Sequence, residues 1–164
     1  MKAILTDIDC RPVVEEHVQF DTDLPEFRTQ GGVHAAKGGR VTSPTLMWVK
    51  ALDLLMDKIK VTGVDLSKVV AISGSGQQHG SVYWRAGARQ TLKNLAPDKF
   101  LHQQLAHCFS LMDSPIWMDS STGPECRELE EGVGGKNSTF CSAAKNCIFR
   151  WAIMLQKVCV LTAD

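Results

Sequence analysis

Val69-Val70-Ala71-Ile72, an unbroken apolar run rich in β-branched residues, leads directly into Ser73-Gly74-Ser75-Gly76-Gln77-Gln78-His79-Gly80. The run reads as a short strand covered on both faces, because a strand with one wet face alternates polar and apolar residues. Two glycines then permit positive φ and turn the chain, exposing main-chain groups. Gln77, Gln78 and His79 follow at once, so three hydrogen-bonding side chains stand past the carboxyl end of a buried strand, the edge at which open α/β sheets bind ligands. Gly80 leaves His79 uncrowded, and Ser81-Val82-Tyr83-Trp84 reads as a second, half-buried strand.

Outward from this stretch the order of elements is that of an α/β fold. Lys2 to Ile8 reads as a strand, Asp9 to Pro12 as a turn, and Val14, Glu16, Val18 and Phe20 as alternate positions of an antiparallel partner. Residues 21–42 carry Pro25, Gly31, Gly32, Gly38 and Gly39 with little periodicity and read as a long loop. Ser43 followed by Pro44 reads as an N-cap with proline at the first helical position. Trp48, Leu52, Leu55 and Ile59 then mark the core-facing stripe of a helix that ends near Gly63. Further on, Leu101, Leu105 and Phe109 are spaced for a second helix, with His102 and His107 on its surface. Pro115 to Met118 reads as a strand ending at Asp119. Thr122-Gly123-Pro124-Glu125 reads as a capping box opening a third helix that runs to about Glu131.

Composition excludes several classes. The 164 residues suffice for one core, and 18 basic against 18 acidic residues give a formal net charge of zero, so nothing calls for nucleic acid or a membrane surface. The amino terminus lacks the apolar stretch of a secretory signal, no run approaches the roughly 18 residues of a spanning helix, and the expected location is the cytoplasm. Six scattered cysteines form no Cys-x-x-Cys pair and sit with no histidine at zinc spacing; reduced thiols and no metal site are expected.

The Ser-Gly-x-Gly-Gln-Gln-His-Gly segment, followed by Ser114-Pro115-Ile116-Trp117-Met118-Asp119-Ser120-Ser121-Thr122, resembles the amino-terminal domain of xylulose kinases in the FGGY carbohydrate kinase family. Asp23-Leu24-Pro25-Glu26-Phe27 and Thr29-Gln30-Gly31-Gly32-Val33-His34 resemble the animal members. The resemblance runs from about Met1 to about Gly135, so residues 1–135 are expected to form part of the family's amino-terminal domain and 136–164 a divergent tail. It implies an actin-like (ribonuclease H-like) fold with a central mixed sheet and flanking helices, here incomplete. It further implies ATP-dependent phosphorylation of D-xylulose with Mg2+. His79 matches the family's sugar-binding histidine, and Gln78 and Asp119 stand in the matching motifs as further substrate-binding candidates. The family's general base lies in a second domain, so no catalytic residue is assigned here.

Two absences qualify the implied activity: the family's leading strand with its phosphate-binding turn, and a sugar-binding arginine beyond Gly135, have no counterpart. A non-catalytic, truncated or spliced sugar-binding fragment is therefore the alternative. Other chemistries fail on their motifs. Gly134-Gly135-Lys136-Asn137 lacks the first glycine and the terminal Ser or Thr of a phosphate-binding loop, and His79 occupies the third glycine position of a dinucleotide fingerprint. A Ser75, His79, Asp119 triad lacks the Gly-x-Ser-x-Gly elbow.

Overall fold

A computed structural model describes residues 1–76 and 78–134, together with the backbone of 158–162. Strands β1 (Lys2–Thr6) and β2 (Pro12–His17) pair antiparallel, with Ala3 opposite Glu16 and Leu5 opposite Val14, as their alternation predicts. Asp7 closes the turn, its carboxylate accepting the Arg11 amide at 2.8 Å and its carbonyl the Cys10 amide at 3.0 Å.

The segment expected to be one long loop is organised instead. It holds a short helix α1 (Phe20–Asp23), a 3-10 turn at Pro25–Phe27, strand β3 (His34–Ala35) and a second tight turn at Lys37–Gly39. Asp21 is the hub. Its carboxylate accepts the Thr29 hydroxyl at 2.6 Å and the Gly31 and Gly32 amides at 2.6 and 3.0 Å. These three donors, the Thr29 hydroxyl foremost, hold the Asp21 carboxyl below the usual carboxylate range.

Strand β4 (Val41–Pro44) runs directly into helix α2 (Thr45–Val61). Ser43 is therefore not the N-cap that its sequence position suggests. It is buried in β4, and its hydroxyl donates to the Gly32 carbonyl at 2.8 Å instead of to the helix. The helix ends as expected, at Thr62 and a positive-φ Gly63. Its buried stripe is Met47, Ala51, Leu55 and Ile59, one position round from the Trp48 and Leu52 that spacing favours. These residues pack on Ala3, Leu5, Val18 and Leu24 to make the main core, each fully buried Leu or Ile contributing about 1.5–3 kcal/mol.

Beyond α2 come β5 (Val69–Ser73), α3 (Ala88–Lys93), α4 (Leu101–Leu105), β6 (Asp113–Pro115), α5 (Gly123–Gly132) and β7 (Val158–Thr162). One mixed sheet has the order β2-β1-β7-β5, with β7 parallel to β1 and antiparallel to β5. A smaller antiparallel sheet has the order β3-β4-β6. Ala88, Leu105, Cys108 and Phe109 form a second cluster against Leu46, Val49 and Leu101. Asp53 ties α4 to α2, accepting the Leu101 and His102 amides at 3.1 and 2.8 Å and lying 2.6 Å from His102 Nδ1. His102 is thus a half-buried tether rather than a surface residue; His107 is exposed as expected.

Several further expectations are corrected. Strand β5 exists where predicted but is not covered on both faces: Val70 is 66% and Ile72 73% exposed, because α2 packs over β1 and β2. Residues 81–84 form no strand. They are exposed, and one bridge pairs Trp84 with Phe109, their rings 4.9 Å apart. The strand expected at 115–118 lies at 113–115, leaving Trp117 and Met118 outside. Helix α5 forms at the predicted place, but the Thr122 side chain makes no capping bond. In the tail, Ile148, Trp151, Leu155 and Val158 have a helix-like spacing in the sequence; the first three lie outside the described residues, and Val158 opens a strand.

Candidate functional site

The glycine-rich turn follows β5 as the sequence indicates, and Gln78 and His79 lie exposed within it; Gln77 is outside the described residues. His79 has φ 63, in the left-handed region that L residues avoid. A non-glycine residue held there costs of order 1–3 kcal/mol and persists only where its surroundings impose it, an arrangement concentrated at functional turns.

The turn lies beside the β6 segment. The Ser81 amide donates to the Pro115 carbonyl at 3.1 Å, and a Cβ on Gly80 would lie 3.7 Å from that same oxygen. The two motifs that stand out in the sequence, 73–80 and 114–122, are therefore joined through one carbonyl group. Four residues beyond Pro115, Asp119 fixes the other end of the segment. Its Oδ2 accepts the Val41 amide at 2.8 Å, and its Oδ1 accepts the Ser121 amide at 3.1 Å and hydroxyl at 2.7 Å.

A carboxylate offers about four acceptor sites, and these bonds fill three of them. Asp119 is thus mainly a brace between β4 and the 119–121 turn. The Ser121 hydroxyl, then the Val41 amide, holds its carboxyl below the usual range, so it is ionised at neutral pH. Gly39 belongs to the same junction: its carbonyl accepts the Ser120 amide at 2.9 Å, and at φ 76 a Cβ would meet Ser120 Oγ at 2.5 Å.

Sequence reasoning missed Val41, Gly39, Ser121 and Pro115. Three of these act through backbone groups, which leave no side-chain signature. A hollow of about 310 Å3 lined by Asp53, Met56, Asp57, Lys60 and residues 97–100 contains none of the candidate residues. Among the described residues, no group of three or more His, Cys, Asp or Glu is placed to hold a metal ion, and no helix is long and apolar enough to cross a membrane.

The described residues form a mixed α/β architecture with a polar turn past the carboxyl end of β5. Comparison with known proteins narrows that class. Over 142 residues, 86% of its length, the chain is 54% identical to the xylulose kinase of Rattus norvegicus. It is 48% identical over 137 residues, 82% of its length, to xylulose kinase 2 of Arabidopsis thaliana, and 40% identical over 138 residues, again 82%, to the xylulose kinase of Saccharomyces cerevisiae. The chain is a homologue of the xylulose kinases. It spans about a quarter of the length of these curated relatives: 26%, 25% and 23% respectively. No family model matches it.

Proposed function

We propose that the chain supplies the sugar-binding side of a xylulokinase-type carbohydrate kinase, whose complete form transfers phosphate from ATP to D-xylulose to give D-xylulose 5-phosphate. The observation that carries this reading is the 54% identity to a xylulose kinase over 86% of the chain. In this reading residues 1–135 are part of the kinase's amino-terminal domain, of actin-like fold, and residues 136–164 are a divergent tail. The mixed sheet and the helices packed on it support that assignment.

His79 and Gln78 are the sugar-binding residues of this proposal, with Asp119 as turn brace and third contact. Neutral imidazole can donate to one hydroxyl and accept from another, and a glutamine amide can do the same, which is what recognition of a polyhydroxylated ligand requires. ATP supplies the transferred phosphoryl group and Mg2+ its charge neutralisation in the complete enzyme. The described residues do not fit the nucleotide. Thr45, at the start of α2, is buried, with its amide committed to the Met112 carbonyl, and the helix that next follows β5, α3, begins only at Ala88, so the described turn at 78–80 does not open directly onto helix amides that could take a phosphate. Nucleotide binding is therefore assigned to the length of the relatives that this chain does not span, and no residue here is given the role of general base.

Two measurements test the proposal. In a 15N-resolved NMR titration, D-xylulose is expected to shift the amides of residues 78–81 and 119–121 in a saturable way; uniform or absent shifts contradict it. In a coupled ADP-release assay the purified chain is expected to show no sugar-dependent turnover, because positioning and charge stabilisation supply nearly all the rate in phosphoryl transfer. Turnover near the typical kinase range of roughly 1–100 per second would show that the chain carries a complete site.

A further inference from the structure

Strands β1 and β5 do not pair with each other; β7 lies between them and bonds to both. Its register runs Ala3, Ile4, Leu5 and Thr6 against Val158, Cys159, Val160 and Leu161, and Ala71, Ile72 and Ser73 against Leu161, Val160 and Cys159. The two flanking strands depend on it differently. Strand β1 is central, with Ala3 and Leu5 buried in the core and β2 on its other edge. Its second row of amides and carbonyls lies beside that core, where unpaired backbone groups are costly. Strand β5 is held mainly through its backbone. Val69 packs against the core, while Val70, Ala71, Ile72 and Ser73 are exposed. Among the described residues, β5 joins the sheet through β7 alone.

The main core of described side chains is drawn from β1, residues 18–24 and α2. Removing residues 158–162 would therefore leave two parallel rows of unpaired backbone groups facing one strand's width, beside a core already assembled. Such a gap accepts an extended segment by strand addition, with main-chain hydrogen bonds on both sides supplying the affinity. Val158-Cys159-Val160-Leu161-Thr162 has the chemistry to fill it, being uncharged, free of proline and β-branched at alternate positions.

We infer that the gap between β1 and β5 is a strand-acceptor groove for an uncharged, β-branched extended segment, that residues 158–162 are its occupant, and that the groove takes this segment from a separate molecule when the chain's own copy is withdrawn. Strand direction does not limit the exchange at β5 and β1 jointly, since the resident segment is antiparallel to one and parallel to the other.

The test uses the full chain carrying Val160→Pro, since proline cannot donate to a ladder and is excluded from central strands. Amide exchange at residues 70–73 is expected to accelerate by about tenfold or more, while Ala51, Leu55 and Ile59 in α2 stay slow. An excess of a synthetic peptide of residues 157–164 is expected to restore slow exchange at 70–73, and the same peptide bearing the proline is not. Unchanged exchange in the variant, or no recovery with the unmodified peptide, overturns the inference.

Should Val160→Pro also unprotect α2, Ser73→Cys in the otherwise unchanged chain decides the matter. Position 73 stands opposite Cys159 in the register, within the spacing a disulfide needs. With oxidised glutathione the two thiols become one disulfide, and the glutathione disulfide is reduced to two thiols. A 73–159 link found by peptide mapping, replaced by a link to the added 157–164 peptide when that is in excess, supports the groove. Absence of the link, or a link indifferent to excess peptide, refutes it.

Discussion

Thr45 and Ser114 share a hydrogen bond of 2.7 Å between their hydroxyls, with residue exposures of 2% and 0%. The pair joins the start of α2 to β6, the strand that leads into Pro115 and Asp119, so its energetics report on the junction that positions the candidate site. The Thr45 hydroxyl also lies 3.4 Å from the Leu111 carbonyl, to which it donates, leaving Ser114 as donor to Thr45. Thr45→Val keeps the shape but strands the buried Ser114 hydroxyl, a loss of about 1–3 kcal/mol. Ser114→Ala leaves Thr45 its bond to Leu111 and removes only one net hydrogen bond, a loss of about 0.5–1.5 kcal/mol.

The double variant strands no hydroxyl. It should cost less than the two single losses together, with a coupling of about 0.5 kcal/mol or more. Urea unfolding followed by tryptophan fluorescence, with the m-value checked for constancy, measures all four proteins. Losses that add within about 0.3 kcal/mol would refute the reasoning, because independent effects mean that the hydroxyls do not depend on each other.

Further outcomes follow from other contacts. Leu55→Ala is expected to lower stability by about 2–5 kcal/mol in the same urea assay, since the side chain is 1% exposed at the centre of the main core. Asp53→Ala should cost about 0.5–2 kcal/mol and speed amide exchange at residues 101–105 more than in the middle of α2, because α4 loses the acceptor for its first amides. Gly39→Ala should destabilise, since its Cβ would meet Ser120 Oγ at 2.5 Å in a left-handed backbone, and the 119–121 amides should shift. Asp21, Asp23 and Asp119 all have depressed folded-state pKa values, so the stability they contribute is complete above the unfolded carboxylate pKa of about 3.9 and is lost as pH falls below it. Thermal melts between pH 7 and pH 2 should show a melting temperature declining through that acid window, and the decline should be smaller for Asp21→Asn.

Elements set by strong local pattern were legible in the sequence. The β1–β2 hairpin has clear alternation, and α2 has 17 residues of helical period with a glycine after its end. What was not legible depends on long-range partners. Ser43-Pro44 has the local chemistry of a helix start, but the Gly32 carbonyl recruits the Ser43 hydroxyl into β4. The Val69–Ile72 run has the composition of a buried strand; no sequence pattern reveals that the covering helix packs elsewhere. Asp21 organises residues 29–32 from eight to eleven positions away, beyond the reach of any turn motif. At the candidate site, Gln78, His79 and Asp119 were readable as side chains. Their scaffold, the Pro115 carbonyl and the Val41 amide, consists of backbone groups that every residue carries.

The central claim, that His79 contacts a pentulose, is tested most directly by calorimetric titration of D-xylulose into the chain and into His79→Ala, after near-UV circular dichroism has confirmed equal folding. Loss of one hydrogen bond to a sugar hydroxyl predicts an affinity weaker by about 1–3 kcal/mol, or roughly 5- to 150-fold. An unchanged dissociation constant, with only thermal stability altered, would make His79 a brace of its turn and contradict the account.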